Sequence, residues 1–191
     1  HLCDLATGDV LSSASVMNPQ IPFGEDLMSR VSYIMMHPEG AEAMTQAIQS
    51  ALSKLFAELT EQLGETTDNI LEISLVANPI MHHLVLGINP INLGGAPFAL
   101  TLDEAVTLKA SDLGLNAHLQ ARLFVLPCIA GHVGADTAGV ILAEAPDREK
   151  AMSLIVDVGT NAEIVLGNED RLLVCSSPTG PAFEGGEISA G

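Results

Sequence analysis

The sequence has no tryptophan, one tyrosine and five phenylalanines among 191 residues. Its core must therefore be aliphatic, built from Leu, Ile, Val, Ala and Met. Basic residues are also scarce: 7 Lys and Arg stand against 24 Asp and Glu, a formal charge of −17. No basic cluster of four or more residues occurs. Such a surface repels a phosphate backbone, which argues against nucleic acid and anionic membrane as partners. A single nucleotide is not excluded, because local amides and a metal can hold it. The three cysteines, Cys3, Cys128 and Cys175, lie far apart. Their number and spacing argue against a disulfide framework, a zinc site or an iron–sulfur cluster held by this chain, and predict buried, reduced thiols in a cytoplasmic protein. Long apolar runs are missing too. The stretches Ile73–Ile88 and Leu123–Ala143 are interrupted by Pro, Gly, Asn, His or Asp, so neither predicts a membrane span.

What is present is a chain nearly half apolar, enough for a sizeable core. Leu2–Val16 predicts two short strands about the turn Thr7-Gly8-Asp9, and Met17–Gly24 a loop. Glu25–Met36 predicts a helix with acidic residues in its first turn. In Pro38–Leu63 the residues Met44, Ile48, Leu52, Leu55, Leu59 and Leu63 step by three and four, which predicts a helix with a core-facing stripe, stopped at Gly64. Ile70–Val76 predicts a buried strand, and Pro79–Leu86 a helix capped by Asn78. Gly87–Gly114 is irregular, with a short strand near Ala105–Leu108. Leu123–Leu126 is a strand, Ala135–Ala145 a helix, and Leu154–Val158, Ala162–Leu166 and Leu172–Cys175 three further strands. Alternation of helices and strands together with hairpins predicts an α/β fold with mixed sheets.

Two motifs carry chemistry. In Leu154–Leu166 a strand delivers Asp157 to a turn of Gly159, Thr160 and Asn161, and a second strand returns at once. Backbone N–H groups in such a turn can form an anion-binding concavity, with Asp157 placed to hold Mg²⁺ through water. An ordinary hairpin turn with a capping aspartate has the same pattern. No Gly-rich loop ending in Lys-Ser or Lys-Thr is present, so a P-loop is excluded. In Ile129–Thr137 a Gly-x-x-Gly loop opens a helix with Asp136 in its first turn. Asp136 is either a partner of the helix dipole or a group that orients a water and takes its proton. His82, His83 and Arg30 read as structural residues, Arg30 as the partner of an acidic neighbour.

Acidic helix start, strand and phosphate-type hairpin come in the order found in the actin-like superfamily of sugar kinases, acetate kinases, heat-shock chaperones and actin. The closer resemblance, over nearly the whole chain, is to the reductive activators of corrinoid proteins. It rests on Met17-Asn18-Pro19-Gln20 with Phe23–Arg30, on Met81–Pro90 with Leu93-Gly94 and Ala96-Pro97-Phe98, on Leu126–Thr137, on Asp157–Asn168, and on Cys175-Ser176 with Gly180–Gly185. The sequence departs from the family pattern at Ala77-Asn78-Pro79-Ile80, where Gly-Asn-Thr-Thr or Gly-Asn-Thr-Ala is usual, and at His132 and Ala162.

The resemblance implies an actin-like, ribonuclease H-like two-lobed ATPase fold of which this chain is a fragment. A partial first lobe over 1–130 would lack its first phosphate hairpin. An interlobe loop and helix would follow over 131–146, and the start of the second lobe over 147–191. The activity implied is ATP-dependent reduction of a corrinoid protein from cobalt(II) to cobalt(I) in methyl transfer, with a homodimer left open. Asp136 would position the attacking water, Asp157 would hold Mg²⁺, and Gly159, Thr160 and Asn161 would cradle phosphate, with Gly180 and Gly185 approaching the nucleotide. The cofactors implied are ATP and Mg²⁺, with an iron–sulfur cluster expected only in an upstream domain. A small-molecule kinase of the same superfamily and a non-catalytic nucleotide-binding domain are the alternatives.

Overall fold

The computed structural model describes residues 1–159 and 161–179. A two-stranded antiparallel ribbon, β1 (Leu2–Cys3) and β2 (Val10–Ser12), opens the chain. Helix α1 (Leu27–Met36) begins two residues later than the acidic pair suggests. Asp26 is its N-cap, accepting from the Ser29 amide at 2.7 Å, while Ser29 Oγ accepts from the Asp26 amide at 3.1 Å. This reciprocal box satisfies two otherwise orphaned amides, so the carboxylate caps the helix from outside instead of riding in its first turn. Arg30 is buried, and although the Asp26 charge acts on it, among the described residues it makes no direct ion pair with a carboxylate. Its Nε donates to the Gly24 carbonyl at 2.9 Å and an Nη donates to that of Glu25, which ties the preceding loop to the helix.

Helix α2 (Gly40–Glu61) packs across α3 (Pro79–Val85). Val31 and Ile34 of α1, Met44 of α2, Ile80 and Leu84 of α3, and Leu93 form one buried cluster. The C-terminal carbonyls of α3 find donors on α2: Thr45 Oγ donates to Leu84 at 2.7 Å and Gln49 Nε2 to Val85 at 3.0 Å. These bonds meet the need of a helix end for partners and lock α3 in place. The α2 stripe is core only in part. Met44 and Leu59 are buried, but Ile48, Leu52 and Leu55 wall an apolar groove of about 630 Å³ against the next strand.

That strand, β3 (Glu72–Leu75), lies parallel to β5 (Arg122–Val125), which also pairs antiparallel with β4 (Val106–Lys109). The order β3-β5-β4 makes this a mixed sheet. β3 is an edge strand and is half-exposed, where the sequence predicts burial; its apolar run does not reveal that only one neighbour pairs with it. Leu123 and Val125 of the central strand are fully buried, with Ala110, Leu115 and Ala121, and Leu52 and Phe56 of α2 pack on them.

Helix α4 (Ala135–Glu144) leads to an antiparallel sheet of β6 (Ser153–Val158), β7 (Asn161–Asn168) and β8 (Arg171–Pro178). One face of this sheet exposes Leu154, Val156, Val158, Leu166 and Leu173. β6 is therefore another exposed edge strand. Of the cysteines only Cys128 is buried, whereas Cys3 and Cys175 are exposed, the latter on this open face. No helix among the described residues is long and apolar enough to cross a membrane.

Candidate functional site

The site is assembled where α4 starts. The amides of Ala135 and Asp136 both donate to the Ala77 carbonyl, at 2.9 and 3.2 Å. The next residue, Asn78, caps α3 by accepting from the Met81 amide at 2.9 Å. Two helix N-termini thus share one dipeptide, 77–78. Gly134 makes this possible: a Cβ there would stand 2.6 Å from Asp136 Oδ1 and 2.7 Å from the Ala77 carbonyl oxygen, closer than atoms pack. Asp136 is held in turn by its own helix, its Oδ1 accepting from the Thr137 amide at 2.8 Å.

Asp136 faces the β6–β8 sheet. Asp157 of β6 and Glu163 of β7 are directly opposite in register, and Ser176 of β8 is opposite Glu163. Residues opposite in a ladder share a sheet face, so the three form a row. Ser176 Oγ donates to the Glu163 carboxylate at 2.9 Å. Burial, followed by the charge of Asp157, raises the Asp136 carboxyl above its ordinary range, although the Thr137 amide opposes this. Glu163 is raised for the same reasons: burial first, then Asp136 and Asp157, against the Ser176 hydroxyl. The three carboxylates therefore feel one another, and the sequence motifs 129–137 and 154–166 come together in space.

A small cleft of about 60 Å³ lies between them, walled by Asn78, His132, Asp136, Asn161 and Glu163 with apolar residues of α1 and α3. Asp157 is exposed just outside this lining. At the hairpin bend the Gly159 amide donates to the Asn161 carbonyl at 2.8 Å, and its own carbonyl accepts from Thr179 Oγ at 2.7 Å. Among the described residues a Cβ at Gly159 would meet only Asn161 O, at 3.6 Å. Thr160, Gly180 and Gly185 lie outside the described residues.

Glu163 is the site residue that the motif reading passes over. The signal was available, since positions 157 and 163 are equidistant from a turn centred on 160. His82 and His83 stay structural. Both are fully buried, and His83 Nδ1 bonds the Pro79 carbonyl at 2.7 Å while its Nε2 accepts from the Thr101 amide at 3.1 Å. Burial lowers both imidazoles, with His83 adding to the effect on His82, so each is neutral. No group of three or more His, Cys, Asp or Glu among the described residues could hold a metal ion directly. The Cys128 thiol is pushed up to about 11 by burial and the Asp136 charge, despite the Ala135 amide, so it is not a ready thiolate ligand.

The mixed sheet β3-β5-β4, and an acidic helix start facing a β-hairpin, belong to an actin-like α/β fold. The chain belongs to the RACo family: residues 1–149 match the RACo middle region and residues 151–191 the C-terminal domain of RACo, the ASKHA domain. It is 36% identical over 191 residues to the corrinoid activation enzyme RamQ of Eubacterium limosum, covering all of this chain and 32% of that protein. It is 26% identical over 198 residues to the [Co(II) methylated amine-specific corrinoid protein] reductase of Methanosarcina barkeri, covering all of this chain and 36% of that protein. A solved structure of a reductive activator for corrinoid, iron-sulfur protein superimposes with a TM-score of 0.91 at 31% identity, over 99% of this chain and 30% of that one. The chain spans about a third of the length of the curated relatives it matches.

Proposed function

We propose that this chain is part of the ATPase core of an activator that returns a cobalt(II) corrinoid protein to cobalt(I) at the expense of ATP. The observation that carries the reading is the convergence of Asp136 with Asp157 and Glu163, in a chain whose relatives are named for corrinoid activation or reduction. Residues 1–130 form the first lobe in this reading, 131–146 the connection and 147–191 the beginning of the second. The change of family model between residues 149 and 151 supports that division.

Asp136 orients the attacking water and accepts its proton. Its raised carboxyl suits the role, because a base works best with a pKa nearer the working pH. Fixation by Thr137 N–H and by the 77–78 dipeptide keeps the carboxylate in place, which is most of what a phosphoryl-transfer site asks of a protein. Gly159, Thr160 and Asn161 cradle phosphate, and Gly180 and Gly185 approach the nucleotide from beyond β8.

The acidic row fits a cation. Like charges directly opposite in a ladder destabilise it, and Asp157 and Glu163 are such a pair. A divalent ion would relieve the repulsion, and with no cluster of three direct ligands among the described residues these carboxylates would hold it through water, as suits Mg²⁺. Asp157 would hold it through those waters, and bound Mg²⁺ neutralises phosphate charge. The described residues do not fit an iron–sulfur cluster, so the electron would come from elsewhere: a reduced cluster in another domain would supply one electron to each cobalt(II). Two exposed free thiols suit a reducing cytoplasm.

The test is to mix full-length protein with Mg-ATP, a low-potential reductant and a cobalt(II) corrinoid protein of a methyltransferase system, following cobalt(I) absorbance and phosphate release. Cobalt(I) should form only with ATP. ATP consumed only when a small hydroxylated acceptor is added, with that acceptor phosphorylated, would overturn the reading in favour of a kinase.

A further inference from the structure

We propose that His132 is a phosphate-contacting residue of this cleft, donating an imidazole N–H to the polyphosphate of the bound nucleotide. The inference rests on the nucleotide reading above and adds to it a side-chain N–H donor in the described wall of the cleft.

The first argument is charge. A polyphosphate entering here meets Asp136, Asp157 and Glu163 in a chain of net charge −17. Among the described residues that wall the cleft, His132 is the only one that can carry a positive charge. No Lys or Arg lines it, and the nearby Arg30 of α1 is committed to the carbonyls of Gly24 and Glu25. A metal ion and backbone amides offset part of the repulsion, but a side-chain donor aimed at phosphate adds a charge-assisted bond that carboxylates cannot provide.

The second argument is preorganisation. His132 sits at the tip of a tight turn closed by two bonds between Ala130 and Val133, each amide donating to the other's carbonyl at 3.0 Å. Its neighbour Gly131 lies against the Phe98 backbone so closely that a Cβ would collide with the Phe98 carbonyl oxygen. The imidazole rests on the Phe98 ring, centroids 4.5 Å apart and planes inclined by 58°. The backbone and one side of the ring are therefore fixed, while among the described residues neither ring nitrogen has a protein hydrogen-bond partner. An exposed imidazole held by its carbon skeleton, lining the same cleft as Asn161 and Asp136, is built to meet something that is not protein.

Two variants separate contact from packing. His132→Phe keeps a ring for Phe98 to pack on and removes the donor; His132→Gln keeps an N–H donor and loses the ring. Calorimetric titration of full-length protein with Mg-ATP and with adenosine gives the readout. His132→Phe should weaken Mg-ATP binding roughly tenfold or more, the range of a hydrogen bond to a charged group, and leave adenosine binding unchanged. His132→Gln should recover most of the loss. Wild-type affinity for Mg-ATP in His132→Phe, or an equal loss for adenosine, overturns the role of His132 alone. Absence of Mg-ATP binding by the wild-type protein overturns the nucleotide reading and this inference with it.

Discussion

Asp157 and Glu163 are directly opposite each other on antiparallel strands, with Ser176 completing the row and Asp136 facing it from the start of a helix. Opposed carboxylates on one sheet face work against folding, and the strain is not relieved by any Lys or Arg in the cleft wall. The proposed role of this row beside a cation and a phosphate has measurable consequences.

Glu163→Gln removes one of the opposed charges and keeps a carbonyl oxygen to accept from Ser176. The variant should be more stable than wild type by ~0.2–1 kcal/mol, read by urea denaturation at pH 7. It should also need several-fold more Mg²⁺ for half-maximal hydrolysis, because a negative charge beside the hydrated ion is lost. A less stable variant with an unchanged Mg²⁺ requirement would count against the role given to this residue.

Asp136→Asn should separate function from stability. The amide oxygen can still accept from Thr137 N–H, so the helix start survives. Hydrolysis should fall by roughly 10²–10⁴-fold with nucleotide affinity retained. Because the native carboxyl is raised, the native state favours its protonated form. The burden of its charge is absent below about pH 4 and is fully felt once the pH exceeds the native value. The variant should therefore melt above wild type at pH 7, with the gain vanishing below about pH 4.

Gly134→Ala tests how the carboxylate is placed. The added methyl would meet Asp136 Oδ1, the Ala77 carbonyl and Asn78 Cα at 2.6–2.7 Å, so the start of α4 must move. A cost of ~1–3 kcal/mol is expected, with hydrolysis falling well beyond what the loss of folded protein explains. Wild-type turnover in this variant would show that the close approach is dispensable.

His82 gives a pH prediction away from the site. Its imidazole is buried, and burial, then the neighbouring His83, lowers its pKa, which a contact with the Leu126 backbone only partly opposes. A depressed histidine contributes stability that is complete above the ordinary value of about 6.5 and is lost as the pH falls below it. Wild type should thus lose melting temperature between pH 7.5 and 5.5. His82→Met, which fills similar space without a buried polar group, should lose less and gain ~1–2 kcal/mol at pH 7. A steeper acid loss in the variant would refute this account.

Most elements were legible in the sequence because their determinants are local. Asn78 caps α3 and the period of Met44 to Leu59 marks α2, both read within a few residues of the chain. The order β3-β5-β4 is not local, which is why the edge position of β3 escaped an apolar run that looks the same at a sheet's centre. The meeting of Asp136 with Asp157 was expected only through family resemblance, since 20 intervening positions say nothing of distance. Glu163 was within reach of arithmetic, as the residue that a hairpin centred on 160 places across from Asp157. The grip of Ala77 on the start of α4 was not, because it depends on a glycine 57 positions downstream whose missing side chain leaves no pattern.

The central claim is that Asp136 and Asp157 act on one bound nucleotide. A double-mutant cycle on the single-turnover rate of ATP hydrolysis, using Asp136→Asn, Asp157→Asn and the double variant of full-length protein, tests it most directly. Groups that act as a unit are strongly non-additive, so the double variant should be little slower than the slower single variant. Rate losses that simply multiply, or a wild-type rate in either single variant, would contradict the claim.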